Sequence, residues 1–332
     1  MASTTPTKII DKIKACEERK EPFIAFEYFP PRTAEGVSNL KPRMDRMANQ
    51  EPLYADVTWG AGGTTSDLTL ELCVGAKERT GMEMNMHLTC TNMPEEKIGA
   101  ALEGAKAGGV LNIVALRGDP PAGEEKWEAV EGGFTCALDL VKHIRKEYGD
   151  EFGISVAGYP EGHPTTIKKV EGRDLTESES TRVVTVDGEN FVCSDEDYAG
   201  ELAYLKSKVD AGAEFIITQM FFDVPLFFKF VADCRGVGIT VPIVPGIMVI
   251  QNYGGFKRMT GFCKSRVPQS FWDTLDPVAE DAEAVRNAGV ALGAGMCKAL
   301  LEGGAPGLHF YSLNLEKVTN GILKGLDLLK DP

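Results

Sequence analysis

The sequence predicts an α/β chain closed into a (β/α)8 TIM barrel, with a β-hairpin inserted between strands five and six. Three observations predict it. Eight apolar, β-branched or aromatic runs recur along the 332 residues. The stretches between them repeat their apolar residues at helical spacing. The first run ends in Phe29-Pro30-Pro31-Arg32, which cannot make the Gly-x-Gly-x-x-Gly turn that commonly opens a doubly wound sheet. Strand alternating with helix implies parallel strands and right-handed crossovers, and eight such units suit closure of the sheet on itself.

The runs are Phe23–Phe29, Tyr54–Trp59, Glu83–Cys90, Leu111–Gly118, Gly153–Tyr159, Ala213–Phe221, Val241–Met248 and Gly307–Leu313. A helix is expected over Leu68 to Arg79, stopped by Gly81. Another carries Ile98, Leu102 and Ala105 on one face, with Pro94 near its start and Gly108-Gly109 at its end. Leu138, Val141, Ile144 and Arg145 mark a third. Between strands five and six, Pro164 to Asp197 holds two alternating segments around Asp187-Gly188, a strong two-residue hairpin signal. Pro277 to Leu301 reads as one long helix with earlier helical residues before it. No composition break marks a second domain, so residues 1–332 are expected to form one domain, with 171–197 as an insertion within it.

Composition narrows the function. Hydrophobic residues make up 43% and charged residues 25%, which is globular rather than disordered. No run of about 18 apolar residues is present, so no membrane-spanning helix is expected. The first residues have no apolar core or cleavage site of a signal peptide, which points to the cytoplasm. Lys+Arg 35 against Asp+Glu 49 gives −14, against a surface that tracks nucleic-acid phosphates. The eight cysteines form no Cys-x-x-Cys or Cys/His cluster, so neither a metal centre nor a redox dithiol is signalled.

In a barrel, chemistry collects at the C-terminal ends of the strands. Glu27 sits inside the first run, between Phe26 and Tyr28. It reads either as an ion-paired structural residue or as a general acid whose pKa an apolar pocket raises. His87 reads as a hydrogen-bonded core histidine or as part of a site. Thr58-Trp59-Gly60-Ala61, Arg117-Gly118-Asp119, Tyr159 with His163, and Gln219 stand at further strand ends. Gln219 either satisfies backbone or offers a two-sided amide to a heterocycle. The residues alone reach a barrel enzyme with an acid on strand one and a site for a flat, phosphate-bearing ligand.

Taken together, FEYFPPR (26–32), VTWGAGG (57–63), HLTC (87–90), NIVALRGDP (112–120), GYPEGHP (158–164), KVDAGAEFIITQMFF (208–222), PIVPGIM (242–248) and LHFYSLN (308–314) resemble the methylenetetrahydrofolate reductase family, in order and over nearly the whole chain. The resemblance implies noncovalent FAD in the barrel mouth, NADPH or NADH as co-substrate, and methylenetetrahydrofolate as substrate, reduced to 5-methyltetrahydrofolate in two alternating half-reactions of one-carbon metabolism and methionine biosynthesis. It makes Glu27 the general acid and Asp119 the aspartate near flavin and pterin. It makes Gln219 a folate contact. It implies flavin contacts from Thr58, Trp59, Ala61, His87, Arg117, Gly118, Ala137, Tyr159, His163 and Lys208. Glu201 is carried with them, although the family usually has Asp there. Leu315 stands where some members have Arg. A homo-oligomer, dimer or tetramer, is expected. Many eukaryotic members add a C-terminal domain that binds S-adenosylmethionine, and the sequence ends before one. The competing reading is another FAD-dependent barrel oxidoreductase of the proline dehydrogenase type, against which Glu27 and Gln219 argue.

Overall fold

The computed structural model describes residues 8–60, 65–90, 93–118 and 131–330. Eight parallel strand positions close into a barrel. They are filled by β1 (Phe23–Tyr28), β2 (Tyr54–Val57), β3 (Met84–Thr89), β4 (Asn112–Leu116), β5 (Gly153–Gly158), β9 (Phe215–Thr218), the broken pair β10 (Ile243–Val244) and β11 (Gly246–Met248), and β12 (Gly307–Tyr311). Strand seven is where expectation and structure differ. Pro245 has no N–H to give the ladder and splits the run in two. The first half pairs with β9 and the second with β12, and the Pro245 carbonyl accepts from His309 N at 3.0 Å.

The helices form the outer layer. Those expected from the sequence are α3 (Ser66–Thr80), ending at Gly81 with φ 71°, α4 (Glu95–Ala107) and α5 (Ala137–Tyr148). The long helix α11 is Ala282–Glu302 and does not begin at Pro277. Asp281 caps it by accepting from the N–H groups of Glu283 and Ala284, while Pro277 lies in a separate 3₁₀ turn. Two shorter helices, α9 (Tyr253–Cys263) and α10 (Gln269–Leu275), precede it.

The insertion is a three-stranded antiparallel sheet. β7 (Val184–Val186) and β8 (Glu189–Cys193) form the hairpin, and β6 (Ile167–Lys169) adds a third strand to β8. Asp187 and Gly188 both have positive φ, 50° and 80°, as a turn of this hand requires. The chain then enters α7 (Asp195–Asp210), whose buried face carries Tyr198, Leu202, Leu205 and Lys208.

Strand alternation divides the core. One set of side chains faces outward to the helices, including Ile24, Phe26, Met84, Met86, Ile113, Ile154 and Phe310. The other set points inside. At the N-terminal end of the barrel, Phe23, Ala25, Tyr54, Val114, Phe215 and Val244 pack against Ile9, Ile10 and Ile13 of α1 (Ile9–Arg19). The sequence reading had not picked out this helix. It plugs the floor, and Asn112 Oδ1 accepts from Ile9 N at 2.9 Å. No helix among the described residues is long and apolar enough to cross a membrane.

Candidate active site at the barrel mouth

Above the plug the inward positions turn polar. Glu27 on β1, Asp56 on β2, Asn85 and His87 on β3, Ser155 on β5 and His309 on β12 form one bonded cluster. His87 Nε2 lies 3.2 Å from Asp56 Oδ2 and 3.4 Å from Glu27 Oε2. His309 Nε2 approaches the same Glu27 oxygen at 3.3 Å. Asn85 Nδ2 donates to Asp56 Oδ2 at 3.3 Å and to Ser155 Oγ at 3.2 Å. Register explains the assembly: Ala25 pairs with His309 and Glu27 with Asp56 across neighbouring strands.

This cluster corrects one expectation. Glu27 does not lie in a purely apolar pocket that raises its pKa. Burial does push it up, but hydrogen bonds from His309 and His87 outweigh burial and bring it down to about 2. The same contacts favour a proton on His87. Burial opposes the charge there, yet bonds to Asp56 and Glu27 raise the ring to about 10. Asp56, fully buried, is raised, chiefly by burial and against the pull of both histidines.

Glu27 and His87 face a cavity also lined by Thr58, Trp59, Thr89, Gln219 and Tyr311. Gln219 is fixed by its own backbone N–H, which donates to Gly158 O at 2.7 Å, and its Oε1 accepts from Met220 N at 2.9 Å. Trp59 Nε1 and Thr89 Oγ1 are buried without a hydrogen-bond partner among the described residues. Buried donors are costly to leave unpaired, so these atoms suit the polar edge of a flat ligand.

A second cavity opens beside the first, with Leu116, Arg117, Ala157, Tyr159 and His163 as the common wall. Its far side is α7, which presents Glu201 and Lys208, and the start of α5, which presents Ala137. Lys208 is 5% exposed. Its Nζ donates to Ala157 O at 3.0 Å and lies 5.0 Å from the Tyr204 ring centre, but it forms no ion pair among the described residues. Burial lowers it to about 8, against the pull of Glu201. A buried ammonium with no carboxylate at ion-pair distance among the described residues suits an anionic ligand group. His163 is lowered to about 4 by burial, with Arg117 and Lys208 adding to the effect, so it enters the cleft neutral. Burial raises Glu201, which accepts from Thr166 Oγ1 at 3.4 Å.

Of the residues singled out from sequence, Glu27, Thr58, Trp59, His87, Arg117, Gly118, Tyr159, His163 and Gln219 meet at the inner cavity, and Ala137, Glu201 and Lys208 line the outer one. Ala61 and Asp119 lie outside the described residues. Sequence reasoning missed Asp56, Asn85 and His309. Each sits inside an apolar run at an inward position, and counting alternate residues along β2, β3 and β12 would have marked them. No disulfide joins any of the eight cysteines, and all but Cys136 are buried.

Comparison with known proteins bears on the family and the fold. The family model described as methylenetetrahydrofolate reductase matches residues 12–327. The maize protein named methylenetetrahydrofolate reductase (NADH) 1 is 52% identical over 324 residues, covering 98% of this chain and 51% of that protein. The Escherichia coli 5,10-methylenetetrahydrofolate reductase is 34% identical over 299 residues, covering 90% of this chain and 88% of that protein. The chain thus spans about half the length of the maize relative. A solved Clostridium thermocellum protein, described as binding two copies of 5-methyl-5,6,7,8-tetrahydrofolic acid, shares the fold with a TM-score of 0.56 at 12% identity, covering 96% of this chain and 97% of that one. On the family match and these identities, the chain belongs to the methylenetetrahydrofolate reductase family.

Proposed function

We propose that this chain reduces 5,10-methylenetetrahydrofolate to 5-methyltetrahydrofolate, with NADH or NADPH as reductant and noncovalent FAD in the barrel mouth, as a cytoplasmic homo-oligomer. The observation that carries the reading is the joining of two cavities over one wall. The inner cavity holds a carboxylate and an amide, and the outer one holds an unpaired buried ammonium. When bound, FAD supplies hydride exchange between the nicotinamide and the folate.

The protein's own groups bind, orient and move a proton. Lys208 and Arg117 would meet the FAD diphosphate as charge-assisted donors. Neutral His163 and Glu201 serve its sugar side, and Ala137 leaves room at the start of α5. Thr58, Trp59, Gly118 and Tyr159 would line the flat ring, and Ala61 is assigned with them. Gln219 holds the folate heterocycle through its amide, and Asp119 is assigned beside flavin and pterin. Glu27 passes a proton to folate N10, which opens the five-membered ring. His87, which lines the same cavity as Glu27, is assigned a flavin contact.

Absorbance tests the reading. The purified protein is expected to show flavin bands, to bleach with NADH or NADPH, and to regain colour with methylenetetrahydrofolate. A colourless protein that binds no added FAD, or a bleached one that the folate leaves unchanged, overturns it.

A further inference from the structure

The cluster beneath the cavity poses a chemical question. A general acid needs a proton, yet Glu27 sits against two imidazoles that favour its ionised form. The geometry contains the answer. His87 Nε2 is shared between two carboxylate oxygens on different strands, at 3.2 Å and 3.4 Å. Two carboxylates converging on one nitrogen repel each other unless an N–H proton lies between them. Asn85, tied to Ser155, holds the Asp56 oxygen in place from behind. On the other side His309, fully buried, approaches the same Glu27 oxygen that His87 does.

We propose that His87 stores the proton that Glu27 delivers, that Asp56 is the positioning residue that keeps it there, and that His309 orients the Glu27 carboxylate as a shuttle. The inference rests on the reductase reading above and adds Asp56 and His309 to its machinery. In the step, the His87 Nε2–H bond breaks as a bond forms to Glu27 Oε2. The carboxyl gives a proton to folate N10, and the bond from N10 to the methylene carbon breaks with its electron pair going to N10. The positive charge moves from His87 to the substrate, so charge and atoms balance. The overall reduction takes up one proton, which His87 recovers from solvent between turnovers.

Other titratable groups face this point. Tyr54 comes from β2, Tyr311 from β12, and Cys73 of α3 lies beyond Asp56. All three are raised by burial and stay neutral across the range tested. Arg117 and Tyr159 face it from the cavity wall.

The test uses the FAD-loaded protein with its four histidines labelled with ¹⁵N, assigned by single replacement. In the wild type, His87 is expected to remain doubly protonated well above neutral pH. In Asp56→Asn, which keeps the shape and removes the charge, it is expected to titrate at least about one pH unit lower, a tenfold or greater loss of proton affinity. The alkaline limb of the folate half-reaction, read by stopped flow, is expected to move down by the same amount. A wild-type His87 titrating near its ordinary ~6.5, or an Asp56→Asn variant with both curves unmoved, overturns the inference. His309→Leu is expected to slow the folate step about tenfold or more, and His309→Gln, which keeps an N–H donor, to restore part of it. Equal loss in the two variants overturns the orienting role. If bleached wild-type flavin is not reoxidised by the folate at all, the reductase reading fails first and the inference falls with it.

Discussion

The two ends of the barrel interior are built by the same strands, two residues apart. At the floor Ala25, Tyr54, Ile217 and Val244 join an apolar layer sealed by α1. One inward step further up the same strands stand Glu27, Asp56, Gln219 and Gly246. The floor has a whole helix to exclude water. The mouth instead has a bonded ladder of carboxylates and imidazoles, with its far side open to a cleft. At the boundary Tyr54 OH, Asp56 Oδ1, Asn85 Oδ1 and His309 Nδ1 are buried without partners among the described residues. A core designed for stability alone would avoid such atoms. The difference teaches that stability and chemistry are divided by height along the strands, so changes at one end should leave the other measurably intact.

The largest expected effect is at the mouth. Glu27→Gln keeps the shape and removes the proposed proton shuttle. General acid catalysis contributes ~10²–10⁴-fold, so the folate half-reaction is expected to fall by that order. Flavin bleaching by a nicotinamide cofactor, which protonates no folate nitrogen, should change far less. Stopped-flow absorbance reads both on one sample. Equal loss in both steps makes Glu27 structural and erases the contrast with the floor.

The floor gives the converse. Ile13 is fully buried in the plug, and Ile13→Ala removes three carbons from it, at ~2–5 kcal/mol. The denaturant midpoint is expected to drop with no change in the pH profile of the folate step. A moved profile would show that the two ends are coupled.

Lys208 sharpens the comparison because it is a buried charge with no ion pair among the described residues. Its pKa is lowered to about 8, against ~10.4 in an unfolded chain. Between those values the unfolded chain binds more protons, so stability of the ligand-free protein rises with pH through that window. Lys208→Gln is expected to flatten that rise in thermal melts of the apo-protein. It should also weaken FAD retention about tenfold to a hundredfold, the scale of a lost hydrogen bond to a charged group at ~1.5–3 kcal/mol. Retention that does not change removes Lys208 from the cofactor's contacts.

The contrast also explains how much the sequence could reveal. Strand positions were legible because each is a dense apolar run, and Asp187-Gly188 was legible because few dipeptides tolerate two positive φ values in succession. The break at Pro245 was hidden, since the run around it is continuous in hydrophobicity while the ladder depends on an N–H that proline lacks. Helix α1 was missed because its stripe is only Ile9, Ile10, Ile13 and Cys16, and its place as a plug is tertiary. At the mouth, Glu27 stood out as a lone carboxylate. Its ionisation did not, because that depends on His309, which lies more than 280 residues away in sequence. Asp56 and His309 become visible only when strand register is known.

The smallest expected effect crosses between the two ends. Ala213, 3% exposed, sits in the turn from α7 into β9, on the floor side. Its N–H donates to Lys208 O at 3.1 Å, and the next residue, Glu214, donates from its N–H to Ile154 O at 2.7 Å. The turn has little slack. Gly212 has φ 119° and lies against Arg145, where even a Cβ would come within 2.6 Å of Nε. Ala213→Val adds two methyl groups to this turn, and overpacking of this kind costs ~1–3 kcal/mol. β9 is held by β5 on one side and β10 on the other, so the end of α7 is the element free to give. Its displacement would carry Lys208 and Glu201 away from the outer cavity while leaving Glu27, Asp56, His87 and His309 untouched. The variant is therefore expected to lose FAD faster on dilution, as read by the appearance of free flavin fluorescence, with the folate half-reaction per bound flavin unchanged. Retention equal to wild type shows that the turn absorbs the methyl groups locally. A fall in the rate per bound flavin shows instead that strain at the floor reaches the proton cluster through β9, and the division by height fails at that strand.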